Sequence, residues 1–301
     1  MNAPSSSSAP KTALITGASG GIGKDLAELF AKDGHHVVLV ARSKGKLEEL
    51  AATLTREHGI TARVITADLG VAGAAERLVQ TLDAQGIAVD VLVNNAGFGS
   101  FGAFAEADVG RTLEMIQLNV TTLVHLTRLL VPGMVSRGHG RVLNVASTAA
   151  FQPGPLMAVY YATKAFVLSF SEAIGNELSG TGVTVTALCP GPTETGFQAG
   201  AQLERSALLK RLRPMDSKAV ARAGYRAMWK GKAVEVPGAQ NRAALFAVRV
   251  LPRTAVTAMV RKMQEPVAGA GAGARTVASA GGSAEPTAAK KKAAPTRTAA
   301  S

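Results

Sequence analysis

The chain has 301 residues, 47 % of them hydrophobic, which is enough to bury a substantial core as one large α/β domain or two small ones. A single cysteine, Cys189, excludes an internal disulfide framework and fits a reducing compartment, so a soluble cytoplasmic protein is expected. The formal net charge of +12 is unevenly placed: residues 200–266 carry 14 Lys and Arg against Glu204, Asp216, Glu235 and Glu265, while the first 199 residues are slightly acidic, so the body is no polycation and nucleic acid is not expected as its main partner.

Residues 1–10 are rich in Ser, Pro and Ala and are expected to be disordered. They have neither the basic start nor the apolar centre of a signal peptide. No unbroken apolar run approaches the roughly 18–20 residues that span a bilayer. From Lys11 the chain alternates short β-branched runs with longer helical stretches. Strands are predicted over 12–16, 36–40, 63–67, 89–94, 141–146 and 184–189, and helices over 22–33, 46–58, 73–85, 111–137 and 160–179. Continuous apolar strands alternating with helices predict a doubly wound, mostly parallel sheet of the Rossmann-like α/β class, as a single domain over 11–265. Residues 193–215 mix small, polar and basic residues. A helix over 217–230 and a last strand over 232–237 follow. Residues 238–265 form an extension, read as a basic amphipathic helix broken at Pro252, and 266–301 form an Ala/Gly/Pro/Lys tail expected to be disordered.

The first strand runs into Gly17-Ala18-Ser19-Gly20-Gly21-Ile22-Gly23 and then a helix. Such a turn aims backbone N–H groups and the positive end of a helix dipole at an anion, and glycine lets a pyrophosphate approach closely. The spacing is G-x-x-x-G-x-G, a relative of the G-x-G-x-x-G fingerprint. The second strand ends in Ala41-Arg42, where an NAD-binding site would carry a carboxylate for the ribose. Arg42 there favours the 2′-phosphate of NADP(H); the alternative is a solvated strand-end charge.

Tyr160 and Lys164 stand four apart at the start of a helix, on one face. A phenol titrates near 10, and a neighbouring ammonium is expected to bring it toward the working range. Tyr161 is the rival acid on nearly the same face. The strand over 141–146 ends at Ser147, and ligands of parallel sheets bind at the carboxyl ends of strands. Asn119 lies inside a predicted helix, where asparagine is unfavourable, so its amide has either a task at the site or a satisfied interior partner.

The chain resembles the short-chain dehydrogenase/reductase superfamily over about residues 10–265. The resemblance is carried, in order, by Thr16 to Gly23, Asp68-Leu69, Asn94-Asn95-Ala96-Gly97, Asn119, Ser147, Tyr160-x-x-x-Lys164 and Pro190-Gly191-Pro192-Thr193. It implies hydride transfer between NADP(H) and a carbonyl or secondary alcohol. It implies Tyr160 as general acid or base, Lys164 lowering its pKa and holding the nicotinamide ribose, and Ser147 bonding the substrate oxygen. It further implies Asn119 holding a water beside Lys164. Gly17, Ser19, Gly21, Ile22, Gly23, Arg42, Asp68, Asn95, Ala96, Gly97, Pro190, Gly191 and Thr193 would join Tyr160 and Lys164 in binding the cofactor. A homodimer or homotetramer through the helices of Asn119 and Tyr160 is also implied.

In that superfamily the 193–215 segment closes over substrate. Here it holds Phe197, Leu203, Leu208, Leu209 and Leu212, which suit a hydrophobic substrate or merely pack the segment onto the body. The 238–265 extension sets apolar residues among Arg242, Arg249, Arg253 and Arg261, and can lie weakly on an anionic membrane, cap the domain or form a subunit contact. The scattered histidines have no metal-ligand spacing, so no metal is expected. Two rival functions stay open: a cofactor-binding regulator with a nucleic-acid-contacting tail, and a related branch that epimerises or dehydrates with the same Tyr–Lys pair.

Overall fold

The computed structural model describes residues 10–197 and 214–265. The terminal segments, most of the 193–215 segment and the basic tail lie outside these. Among the described residues seven strands form one sheet in the order β3-β2-β1-β4-β5-β6-β7, parallel throughout. They are β1 (Thr12–Thr16), β2 (His36–Ala41), β3 (Ala62–Thr66), β4 (Val91–Asn94), β5 (Gly140–Val145), β6 (Val183–Leu188) and β7 (Val234–Glu235). The last pairs Ala187 with Val234 and is shorter than the sequence suggests. Parallel strands covered on both faces need no polar alternation, and β4 is buried at every position.

Helices α1 (Gly21–Lys32), α2 (Lys44–His58) and α7 (Ser217–Trp229) cover one face, packing Leu26, Phe30, Leu47, Leu54, Val220 and Met228 onto β1, β2 and β4. On the other face, α3 (Ala74–Ala84) and α5 (Leu123–Ser136) bring Leu78, Leu82, Leu126 and Met134 onto Leu14, Leu92 and Val142. The strand order reverses between β1 and β4, and there the carboxyl ends of the strands open a crevice, the place where such sheets bind ligands.

The helix predicted over 111–137 is interrupted. It begins as α4 (Val109–Ile116), widens to a π-turn over Gln117–Thr122 and continues as α5. π-turns of this kind mark functional positions in many helices, and Asn119 stands inside this one. The whole stretch Val109–Ser136 is long and apolar enough by length and composition to cross a membrane, which a search for unbroken apolar runs overlooks because polar residues are spaced through it. A core helix passes the same test. Here Leu123, Leu126, Thr127 and Met134 are buried, while Leu113, Ile116, Leu129 and Val135 lie outside.

Among the described residues the remaining helices are α6 (Ala158–Glu177), α8 (Ala239–Val250) and α9 (Arg253–Gln264). The break at Pro252 falls where the sequence places it, because Pro252 caps the start of α9.

Candidate active site

The loops that follow β1, β4, β5 and β6 meet at the crevice. The β1–α1 turn is set by backbone demands. Gly17 has φ 67° and Gly21 φ 52°, left-handed values that disfavour any side chain. A Cβ on Gly23 would stand 2.5 Å from both the Gly17 carbonyl and the Asn95 amide, so the helix start and the strand end approach as closely as backbone allows. Ser19 and Ile22 are half-buried in the turn, and Ile22 also packs on the core beneath.

Asn95 and Ala96 fasten this turn from β4. Asn95 Nδ2 donates to the carbonyls of Thr16 (2.9 Å) and Gly17 (3.2 Å). The backbone N–H groups of Asn95 and Ala96 both donate to the Thr16 hydroxyl at 3.0 Å, and that hydroxyl donates to the Val93 carbonyl. The Asn95 side chain is thus engaged in shaping the cradle. Thr16, the polar residue that ends the apolar strand β1, is the anchor of this network.

Arg42 is exposed at the end of β2, with NH1 4.0 Å from an Asp68 carboxylate oxygen and 3.7 Å from one of Glu114. It is therefore a cation with carboxylate neighbours, at the edge of the crevice where β2 ends. Asp68 in addition accepts from the Gly70 N–H at 2.9 Å.

Ser147, Tyr160 and Lys164 converge at the end of β5. The Ser147 hydroxyl caps the short 3₁₀ turn Thr148–Phe151 by accepting from the Ala149 N–H at 3.1 Å, and it donates weakly to the Pro190 carbonyl at 3.4 Å. The Tyr160 phenol lies against Ser147, which favours its ionised form. Lys164 is buried, and its Nζ donates to the Val145 carbonyl at 2.7 Å. That nitrogen lies 5.9 Å from the centre of the Tyr160 ring. Gly97 faces the same ammonium: a Cβ there would stand 3.6 Å from Lys164 Nζ and 2.9 Å from Asn119 Oδ1.

The electrostatics differ from the expectation that Lys164 lowers the phenol. Burial raises the Tyr160 pKa well above its ordinary value, and only Ser147 opposes it. Burial also brings Lys164 down to about 8, with Cys189 opposing. The physical reason is that desolvation outweighs the attraction: the ammonium is engaged by the Val145 carbonyl.

The family model for short chain dehydrogenases matches residues 11–206. The chain belongs to the short-chain dehydrogenase family. A very-long-chain 3-oxoacyl-CoA reductase from Anas platyrhynchos is 38 % identical over 184 residues, which are 59 % of this chain and 58 % of that protein. The match thus spans less than two thirds of that relative's length. A putative ketoacyl reductase from Streptomyces coelicolor is 39 % identical over 191 residues, 63 % of this chain and 73 % of its own. Among solved structures, a short-chain dehydrogenase from Sphingobium yanoikuyae in complex with NADPH superposes with a TM-score of 0.72 at 34 % identity, covering 79 % of this chain and 93 % of that one.

In this short-chain dehydrogenase Asn119 is buried beside the site. Its Oδ1 accepts from the Phe98 N–H (3.1 Å), and its Nδ2 donates to the Phe98 carbonyl (2.9 Å) and the Thr163 hydroxyl (3.1 Å). These bonds pin the β4 loop to α6, with Gly97 between Asn119 Oδ1 and Lys164 Nζ. The side chain is a clamp beside the site.

Pro190, Gly191 and Thr193 close the far side. The Pro190 carbonyl accepts from the Thr148 N–H at 2.8 Å, and the Thr193 hydroxyl donates to the Gly191 carbonyl at 2.9 Å. Thr195, unremarked in the sequence, lies against Gly21, where a Cβ would stand 2.8 Å from its methyl. The loop after β6 therefore crosses over the glycine turn.

Tyr161, the rival acid, is occupied elsewhere: its hydroxyl accepts from Gln264 Nε2 at 2.7 Å, and burial pushes its pKa up to about 12. Gln264 is fully buried at the end of α9 and was invisible to sequence reasoning, since 103 residues separate the two. Apolar side chains surround Tyr160. Phe197 lies 5.3 Å away ring to ring, and Phe98, Phe101, Met115, Met157, Val256 and Val260 complete one cluster with it. Leu203, Leu208, Leu209 and Leu212 lie outside the described residues. Among the described residues no His, Cys, Asp and Glu cluster suited to a metal occurs.

Proposed function

We propose that this enzyme is an NADP(H)-dependent carbonyl reductase acting on a hydrophobic ketone or oxoacyl substrate in the cytoplasm. The observation that carries this reading is the meeting of Ser147, Tyr160 and Lys164 at the end of β5, beside a turn too tight for any side chain at Gly17, Gly21 or Gly23.

The residues fit a dinucleotide. The cradle that a Cβ would fill suits a pyrophosphate at the amino end of α1. Arg42 at the end of β2 suits a 2′-phosphate, which would take the place of the Asp68 and Glu114 carboxylates beside its guanidinium. The Sphingobium neighbour, described in complex with NADPH, supports the same choice. Gly97, Lys164 and Thr193 would hold the nicotinamide end. When bound, the nucleotide supplies or accepts a hydride.

The chain's own residues supply the proton. A phenol held above its ordinary pKa stays protonated at neutral pH, and a protonated phenol is a donor. Tyr160 would therefore protonate the oxygen of a carbonyl under reduction, while Ser147 donates a hydrogen bond to that oxygen as charge builds on it. Lys164, at about 8, exchanges protons readily near neutrality and can restore the Tyr160 proton once the phenolate forms.

Phe98, Met157 and Phe197 around the Tyr160 ring support an apolar substrate, as do the ketoacyl and oxoacyl substrates in the names of the Streptomyces and Anas relatives. Leu113 and Ile116 on α4 and Phe166 on α6 leave apolar surface outside, which supports a homo-oligomer through these helices.

The test is steady-state consumption of NADPH and NADH over ketones of graded chain length, in the natural protein and in Tyr160→Phe. The variant is expected to lose about 10²–10⁴ in turnover while binding NADPH nearly as before. Near-normal turnover removes Tyr160 from the reaction, and equal use of NADH removes Arg42 from cofactor choice.

A further inference from the structure

The extension after β7 carries a helix with its apolar stripe on the wrong side for a soluble domain. On α8 no residue is fully buried. Only Asn241, Leu245 and Val248 turn inward, where Asn241 Nδ2 donates to the Pro237 carbonyl at 2.8 Å and Val248 joins the cluster around Tyr161. The opposite side presents Ala243, Phe246, Ala247 and Val250, with Phe246 70 % and Val250 69 % exposed. Leu251 at the break is exposed as well, and so is Met259 on α9.

The stripe is rimmed by cations. Arg242 and Arg249 stand about two turns apart on α8, and Arg253 opens α9; all are exposed. From Ala239 to Gln264 there is no acidic residue at all, and Glu265 is paired with Arg261 at 3.5 Å. Apolar side chains pointing outward between arginines are the composition of a helix that lies in the plane of a charged interface. An isologous contact with a second copy would set these arginines against themselves, which like-charge repulsion opposes.

We propose that α8 and the start of α9 form a docking face for an anionic lipid bilayer, with Phe246, Val250 and Leu251 entering the headgroup region and Arg242, Arg249 and Arg253 pairing with lipid phosphates. This inference does not depend on the reaction. Because α8 also borders the Thr148–Phe151 turn that follows Ser147, docking would set the end of the sheet that carries Ser147 beside the membrane.

The experiment is co-sedimentation of the full chain at low salt with phosphatidylcholine vesicles, with and without phosphatidylglycerol. Three proteins are compared: the natural one, Phe246→Ser/Val250→Ser, and Arg242→Gln/Arg249→Gln/Arg253→Gln. Every altered side chain is exposed, and among the described residues only Arg242 gives up a hydrogen bond, to the Val236 carbonyl at 3.1 Å, so each variant should nearly keep its thermal midpoint. The natural protein should bind the anionic vesicles and release with salt, and each variant should bind roughly ten-fold or more weakly. Ala247→Cys gives a second measurement. Cys189 is buried, so an environment-sensitive fluorophore attaches at position 247 and should report an apolar surrounding on anionic vesicles only. The proposal fails if the natural protein does not sediment, if both variants bind undiminished, or if the label stays in water. It fails equally if Phe246→Ser/Val250→Ser dissociates an oligomer in the absence of lipid, which would mean a second copy covers the face.

Discussion

Lys164 Nζ donates to the Val145 carbonyl at 2.7 Å, which ties the catalytic helix α6 to the end of β5 through a buried ammonium. The bond places a cation where water cannot reach it, and burial lowers its pKa from 10.5 to about 8. In this pH range the unfolded chain holds a proton on the lysine that the folded chain gives up, so stability rises with pH. From about pH 8 to 9 Lys164 is the largest contributor among the groups with a resolved shift, and Cys189, whose thiol begins to ionise there in the unfolded chain, opposes it in part. Above 9, Cys189 and then Tyr161 act the other way, since burial raises both to about 12 and the unfolded chain loses those protons first. The natural protein should therefore gain on the order of 1 kcal/mol between pH 8 and 9. Lys164→Met should abolish that gain, as read from denaturant midpoints at each pH.

Gly23 sits where the Gly17 carbonyl and the Asn95 amide leave 2.5 Å for a Cβ. Gly23→Ala must separate the turn from β4, at a cost of about 1–3 kcal/mol, and it should weaken NADPH binding more than it changes turnover at saturation. Gly20→Ala is the control, because nothing lies within 4 Å of a Cβ there. Equal nucleotide affinity in the two variants would mean that the cradle does not hold the phosphates.

Asn119→Ala removes three hydrogen bonds and leaves the Phe98 N–H and carbonyl without their partner. A loss of about 2–4 kcal/mol is expected, as is a fall in the thermal midpoint of several degrees. Turnover measured well below that midpoint should fall less than in Tyr160→Phe. A collapse of activity with the midpoint unchanged would return Asn119 to the proton path.

Gln264→Leu cuts the bond to Tyr161 while keeping the side chain's approximate volume. With both groups buried, the variant should lose about 1–3 kcal/mol. Tyr161→Phe should cost a similar amount, and the double variant little more than either single one, because the two side chains share one bond. Strictly additive losses in this cycle would show that the pair does not hold α9 in place.

How far the sequence reaches is plain from particular residues. Strand ends at Thr16, Asn94 and Leu188 and the break at Pro252 follow from apolar runs and from proline, all short-range signals. So does the pairing of Tyr160 with Lys164, which one helical turn guarantees. The π-turn at Asn119 is less visible, because its cause is a set of partners on Phe98 and Thr163 that the fold brings from other elements.

What the sequence by itself determined is the doubly wound parallel sheet and the ordering of chemical groups at its carboxyl edge, since period, glycine spacing and i, i+4 placement are local properties. Tertiary structure alone decided the sign of the Tyr160 shift, the partner of Tyr161, the carboxylates beside Arg42 and the outward turn of Phe246 and Val250. Each depends on which atoms are removed from water and which stay in it. Burial is a property of the whole packed chain, and no window of residues carries it.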